Sequence, residues 1–146
     1  MKKRQYGFMS IELILSLAVL AVFFLMVAPK FLLTEKMQTD FQAQYLLSNL
    51  RLLQQKNFSL PHEAKAVPTP YMVLNKTSYE LYFDPAAKPV VVNMPEGIVL
   101  SSNHGAVFSF NRGDKYTVNA ATINISGKDS LAKVIIHSYG RIRMAK

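Results

Sequence analysis

Met1-Lys2-Lys3-Arg4-Gln5-Tyr6-Gly7-Phe8-Met9-Ser10-Ile11-Glu12-Leu13 opens the chain, and its reading together with the apolar run that follows decides the fold. From Leu13 to Pro29 no residue is charged, a stretch of 17 residues. As a helix it would be about 25 Å long at about 1.5 Å per residue, close to the thickness of a bilayer core. Lys2, Lys3 and Arg4 precede it, so the positive-inside rule places the amino terminus in the cytoplasm. Glu12 stands at the mouth of the run. An ionised carboxylate near hydrocarbon costs about 2.5 to 3.5 kcal/mol on insertion scales, so a residue of this kind is expected to have a partner and a role. A secretory signal peptide has an apolar core of about 7 to 15 residues and a small-x-small cleavage site. The core here is longer, carries Glu12 and ends in Met26-Val27-Ala28-Pro29-Lys30, which argues against that reading. A plain single-span anchor accounts for the basic leader and leaves Glu12 without a reason.

Taken together, these residues resemble the type IV pilin and pseudopilin signature. The matching features are a short basic leader ending in Gly7, Phe8 as a hydrophobic first mature residue, and Glu12 fifth after the cut. Pro29 would be the twenty-second mature residue, where many members of that family carry a helix-bending proline. Met9 and Ser10 depart from it, standing where Thr and Leu are commoner. The resemblance implies that a membrane-embedded prepilin peptidase cuts between Gly7 and Phe8 and methylates the new amino group of Phe8. It also implies that Glu12 pairs with the N-terminal amine of an adjacent subunit and so sets the stagger within a filament. The expected organisation is a leader over 1–7, a transmembrane and filament-core helix over 8–29, an amphipathic continuation over 30–57 and a β-rich head over 58–146. The expected partners are the membrane, other pilin or pseudopilin subunits and the peptidase, with an assembly ATPase and a platform protein acting indirectly. The expected location is a single-pass place in the cell membrane with the head outside, and the cell surface after assembly.

Length and composition suit a small anchored protein. With 146 residues and one helix in the membrane, there is material for one modest domain. No cysteine is present, so the head must hold by packing without a disulfide. The formal charge is +8, and loss of Lys2, Lys3 and Arg4 with a leader would lower it to +5. From Phe8 to Asn111 basic and acidic residues balance at seven each, whereas from Arg112 to Lys146 the count is seven against two. The mature surplus therefore sits in the last quarter of the chain.

Beyond Pro29, Met37, Phe41, Tyr45, Leu46, Leu50 and Leu53 recur at helical spacing and predict one stripe facing a core. Pro61 ends the helix, and Pro61, Pro68 and Pro70 make 60–70 a loop. The period then changes to two. Tyr71–Leu74 and Ser78–Phe83 read as a hairpin around Asn75-Lys76, with Tyr79, Leu81 and Phe83 on one face. Further strands are expected near Val90–Asn93, Ile98–Leu100, Val107–Phe110, Tyr116–Val118, Thr122–Ser126, Val134–Ser138 and Arg141–Met144. Turn residues such as Pro95-Glu96-Gly97 and Tyr139-Gly140 separate them. The expected fold class is α+β, a long N-terminal helix packed on an antiparallel β-sheet head. The segments Phe108–Gly113, Ala120–Ile123 and Val134–Arg143 look like the layout of minor pseudopilins of the GspH and ComGD kind, which end in a hairpin around a Gly-Arg pair. The small head, the lysine-rich leader and the absence of cysteine fit the competence pseudopilins of Gram-positive bacteria best.

No catalytic residue, cofactor or metal is expected. His62, His104 and His137 lack the spacing of zinc ligands, and neither a Gly-x-Ser-x-Gly elbow nor a phosphate-binding loop occurs. Lys133, Arg141, Arg143 and Lys146, with Tyr139 among them, offer a basic edge for phosphate contacts, or else a strand edge protected by cations against aggregation. The expected function is a non-catalytic minor subunit of a competence pseudopilus that takes up DNA. The alternatives are a minor pseudopilin of a type II secretion system and a membrane-anchored domain binding DNA or cell wall.

Overall fold

A computed structural model describes residues 6–31, 35–62, 67–84, 86–113 and 120–145. The chain divides into two compact units, Met1–Thr34 and Glu35–Lys146. The first holds helix α1, Tyr6–Phe31. Its Leu, Ala and Met residues are strong helix formers, and it contains no glycine between Phe8 and Pro29. The Ser16 hydroxyl donates to the Leu13 carbonyl at 2.9 Å, so its polar group is satisfied within its own backbone.

The second unit contains helix α2, Glu35–Phe58, and eight strands among the described residues: β1 Tyr71–Leu74, β2 Ser78–Tyr82, β3 Val90–Asn93, β4 Val99–Ser102, β5 Val107–Ser109, β6 Ala121–Ser126, β7 Leu131–Ile136 and β8 Ile142–Ala145. They form two antiparallel four-stranded sheets, ordered β3-β2-β1-β5 and β4-β6-β7-β8. The α+β class holds, with one correction. The head has two sheets where one was expected, because β5 returns to pair with β1 and β4 pairs forward with β6. A single long N-terminal helix is not shown; α1 and α2 are described as separate helices, and 32–34 lie outside the described residues. The expected strand at Tyr116–Val118 also lies outside them.

The two sheets and α2 share one core. Leu46, Leu50 and Leu53 of α2 bury against Ile123, Ile125, Val134 and Ile136 of the second sheet, while Met72, Tyr79 and Leu81 bring in the first. Each fully buried side chain of this kind stabilises the fold by about 1.5 to 3 kcal/mol. The first sheet is tied to the second by Leu100 N–H donating to the Lys76 carbonyl at 2.8 Å, from β4 to the β1–β2 turn. The Tyr79 hydroxyl reaches α2 and accepts from Asn49 Nδ2 at 2.7 Å. Burial pushes the pKa of Tyr79 up to about 12, against a partial opposing effect of the Asn49 hydrogen bond.

The face of α2 turned to the core differs from the expected stripe in its first half. Thr39, Ala43, Leu46, Leu50, Leu53 and Asn57 are buried, whereas Met37, Phe41 and Tyr45 remain 44 to 61 % exposed. The buried set steps by four and three residues along one face, and at about 100° per residue the three large side chains fall on the opposite one. The cause lies in the β6–β7 turn. Its Ser130 hydroxyl is 2.6 Å from Thr39 Oγ1, and its Asp129 N–H donates to the Glu35 carboxylate at 3.0 Å. Thr39 already donates to the Glu35 carbonyl at 2.9 Å, so Ser130 supplies the proton of the shorter contact. The short Thr39 side chain lets the turn come this close.

Asn57 closes the far end of α2. It is fully buried; its Nδ2 donates to Leu53 O at 3.2 Å and to Pro70 O at 2.9 Å, and its backbone carbonyl accepts from Leu60 and Gly113 N–H. This residue joins the helix end, the start of β1 and the turn after Phe110.

Candidate functional site

Two surfaces hold the residues singled out in the sequence. The first is α1. Gly7, Phe8 and Pro29 fall within its bounds, and its side chains are described from Ser10 to Leu25. All of those are exposed. Large apolar residues from Ile11 to Leu25 lie on every side of the helix, each 51 to 74 % exposed, and Glu12 is the one charged residue among the described side chains of α1. A helix that is apolar all round needs cover on all sides. Covering this much surface is favourable by on the order of 10 to 20 kcal/mol, taking about 1.5 to 3 kcal/mol for each side chain fully buried. Among the described residues no helix is long and apolar enough to cross a membrane.

The second surface is the outer face of the sheet β4-β6-β7-β8. Strand alternation turns Ala121, Ile123, Ile125, Ala132, Val134, Ile136 and Ile142 inward. The same parity leaves Thr122, Asn124, Lys133, Ile135 and Arg143 on the outside, with no carboxylate at any outward strand position. Register places Ile135 opposite Arg143 and Lys133 opposite Ala145, so Lys133 and Arg143 are diagonal neighbours on one face. The β7–β8 connection extends this face. His137 N–H donates to the Arg141 carbonyl at 3.0 Å, and Gly140 N–H donates to the His137 carbonyl at 2.8 Å. Gly140 takes φ 81°, which a side chain would resist, and this closes the turn tightly.

The turn is held from α2 as well. Gln54 Nε2 donates to the Gly140 carbonyl at 2.7 Å, and Arg51 Nη2 to that of Ile142 at 3.5 Å. At its tip the rings of His137 and Tyr139 stack with centroids 5.1 Å apart and planes 17° from parallel, and Tyr139 is 55 % exposed. Lys133, Arg141 and Arg143 are exposed and have no ion-pair partner among the described residues. Lys146 lies outside the described residues.

The structure thus brings Lys133, Arg141 and Arg143 onto one face, and adds an aromatic pair that the linear sequence conceals. Residues 137 and 139 are two apart, yet they stack only because the Gly140 turn folds the chain back at that point. The parity of β7 and β8 was open to sequence reading once the Gly-Arg pair had been placed at the hairpin tip. His62 and His104 are exposed. Among the described residues no group of three or more His, Cys, Asp or Glu side chains is placed to hold a metal ion. No protein-family model, curated protein or solved structure matches the chain.

Proposed function

We propose that this chain is a non-catalytic subunit of a filament of the type IV pilin kind, a minor pseudopilin of a competence apparatus that takes up DNA. Its leader is removed between Gly7 and Phe8, and α1 serves first as membrane anchor and later as filament core. The observation that carries this reading is α1 itself: large apolar side chains around the whole helix, 51 to 74 % exposed, with Glu12 as the lone described charge. Such a surface must be covered either by lipid or by other apolar helices, and a filament subunit uses both in turn. The sequence stays uncharged through Pro29, beyond the described side chains. Glu12 gives the difference between the two environments. In lipid an unpaired carboxylate is unfavourable by about 2.5 to 3.5 kcal/mol, and a neighbouring N-terminal amine at the right height would relieve that penalty. Assembly would then be favoured at one register only. The head contributes contacts to other subunits and performs no chemistry in this reading.

Replacing Glu12 by Val tests the proposal. The variant should insert in the membrane and be processed like its parent, while its share in sheared filaments falls by about tenfold or more, the factor corresponding to about 1.4 kcal/mol or more of lost pairing. Incorporation equal to that of the parent would contradict the pairing role.

A further inference from the structure

The two sheets of the head turn their inner faces to one core, so their outer faces look away from it and one head cannot bring them together. Those outer faces differ in chemistry. On the first sheet, register lines up Val91, Glu80, Val73 and Val107 as one outward row, with Tyr82 and Tyr71 opposite each other beside it. Val91 and Val107 are 52 and 55 % exposed, and the two tyrosine rings stack with centroids 4.6 Å apart. Glu80 is the one charged residue at an outward strand position of this sheet; Lys76 and Lys88 stand off its strands. Its carboxylate accepts from the Tyr82 hydroxyl at 2.6 Å and from Asn75 Nδ2 at 3.3 Å, and it has no ion-pair partner among the described residues. Two neutral donors fix the group without cancelling its charge, and a carboxylate can accept further bonds. The second sheet is the reverse. Its outer face carries Lys133 and Arg143 as diagonal neighbours, no carboxylate at an outward strand position, and apolar side chains in Ile135 and Leu131.

We infer that these faces dock on one another between copies of this chain. The outer face of the first sheet of one head seats on the outer face of the second sheet of the next, with Glu80 against Lys133 and Arg143 and the valine row against Ile135 and Leu131. Charge selects this arrangement. A two-fold pairing of first-sheet faces brings Glu80 toward Glu80, and one of second-sheet faces brings cations toward cations, so both carry like-charge repulsion. The heterologous pairing removes it. Because each head keeps one face of each kind, the contact repeats from copy to copy as an open array. Its strength follows from its size. Four strands of three to six residues, about 4.8 Å apart, make a face of about 20 by 15 to 20 Å, or about 300 to 400 Å². A standard interface buries about 800 Å² per partner. Free heads therefore meet only transiently, whereas copies held in one membrane have the high effective concentration that makes so small a contact count. The inference goes beyond the filament proposal and stands on the head alone.

The chain has no cysteine, so single introduced thiols report the contact. Val73→Cys marks the middle of the first face and Ile135→Cys that of the second. The two full-length proteins, differently tagged, are reconstituted together in phosphatidylcholine vesicles and treated with a short bismaleimide. The mixed product should form, and neither variant alone should give a like-with-like product above the level of a control carrying His104→Cys at an exposed turn. Adding Glu80→Lys to the Val73→Cys protein should lower the mixed yield about tenfold. Adding Lys133→Glu and Arg143→Glu to its Ile135→Cys partner should then restore it, which a misfolded head could not do. Glu12→Val in both proteins should leave the yield unchanged, separating this contact from any pairing along α1. A mixed yield no higher than that of the control, or like-with-like products in its place, would overturn the inference. So would a yield indifferent to Glu80→Lys, a loss that the opposite reversal does not restore, or a yield that falls with Glu12→Val.

Discussion

Asn57→Asp exchanges a buried donor for a buried charge while changing almost no volume, and its effect on stability should depend sharply on pH. In the parent, Asn57 is fully buried and its Nδ2 serves both Pro70 O at 2.9 Å and Leu53 O at 3.2 Å, while its Oδ1 has no hydrogen-bond partner. An aspartate at 57 would lose both donations and direct an anionic oxygen at two carbonyl oxygens. An uncompensated buried charge destabilises by about 3 to 5 kcal/mol. For a unit of this size that corresponds to a fall in Tm of roughly 15 °C, at about 4 °C per kcal/mol. When protonated, the carboxyl regains one donor, which can serve Pro70 O, and the loss shrinks to about 1 kcal/mol. Burial raises the pKa of this carboxyl in the folded state above its unfolded value. The stability of the variant is therefore fully present below the unfolded carboxyl pKa of about 3.9 and is lost as pH rises through the folded one. Near-UV circular dichroism melts of parent and variant in detergent, near pH 4 and near pH 7, provide the comparison. A gap between the two proteins that is equally large at both pH values, or below about 1 kcal/mol at pH 7, would refute the assigned role of Asn57.

Tyr79→Phe should lose about 1 kcal/mol at neutral pH, because the Asn49 donor is left without the hydroxyl it now serves at 2.7 Å. With the pKa of Tyr79 raised to about 12, the parent's tyrosine contribution is complete below about pH 10 and disappears as pH rises through 12. The parent should therefore lose about 1 to 2 kcal/mol relative to the variant in urea unfolding over that range, allowing for partial solvation; parallel loss in both proteins would count against burial as the cause. Gly113→Ala should cost about 1 to 2 kcal/mol in denaturant unfolding, since Gly113 takes φ 65° and a Cβ would lie 2.6 Å from His62 Nε2. An unchanged midpoint would show that this turn relaxes freely.

Much of the head was legible in the sequence because strand alternation and turn chemistry are local. The β1–β2 hairpin around Asn75-Lys76 is found where it was read, with Tyr79 and Leu81 inward and Phe83 packed against the core. Strands β3 to β8 fall within a few residues of their expected positions. The division into two sheets was hidden, because it depends on pairings such as β1 with β5 and β4 with β6, which are distant in the chain. The buried face of α2 was half legible. Its second half follows the leucines, but in its first half the β6–β7 turn meets Thr39, and Thr39 and Ala43 are buried while the larger Met37 and Phe41 stay exposed. On the candidate surface the cations were visible as a cluster in sequence. That Lys133 and Arg143 share a face follows from register, and the open ring of Tyr139 backed by His137 follows from a turn geometry that sequence spacing alone does not specify.

The central claim is that α1 belongs to a processed filament subunit, and the mass of the N-terminal peptide from cells with and without prepilin peptidase tests it most directly. The account predicts a methylated Phe8 terminus that appears only when the peptidase is present. An intact Met1 terminus in both strains, or a cut near Ala28, would contradict it and return the chain to the class of ordinary anchors or secreted domains.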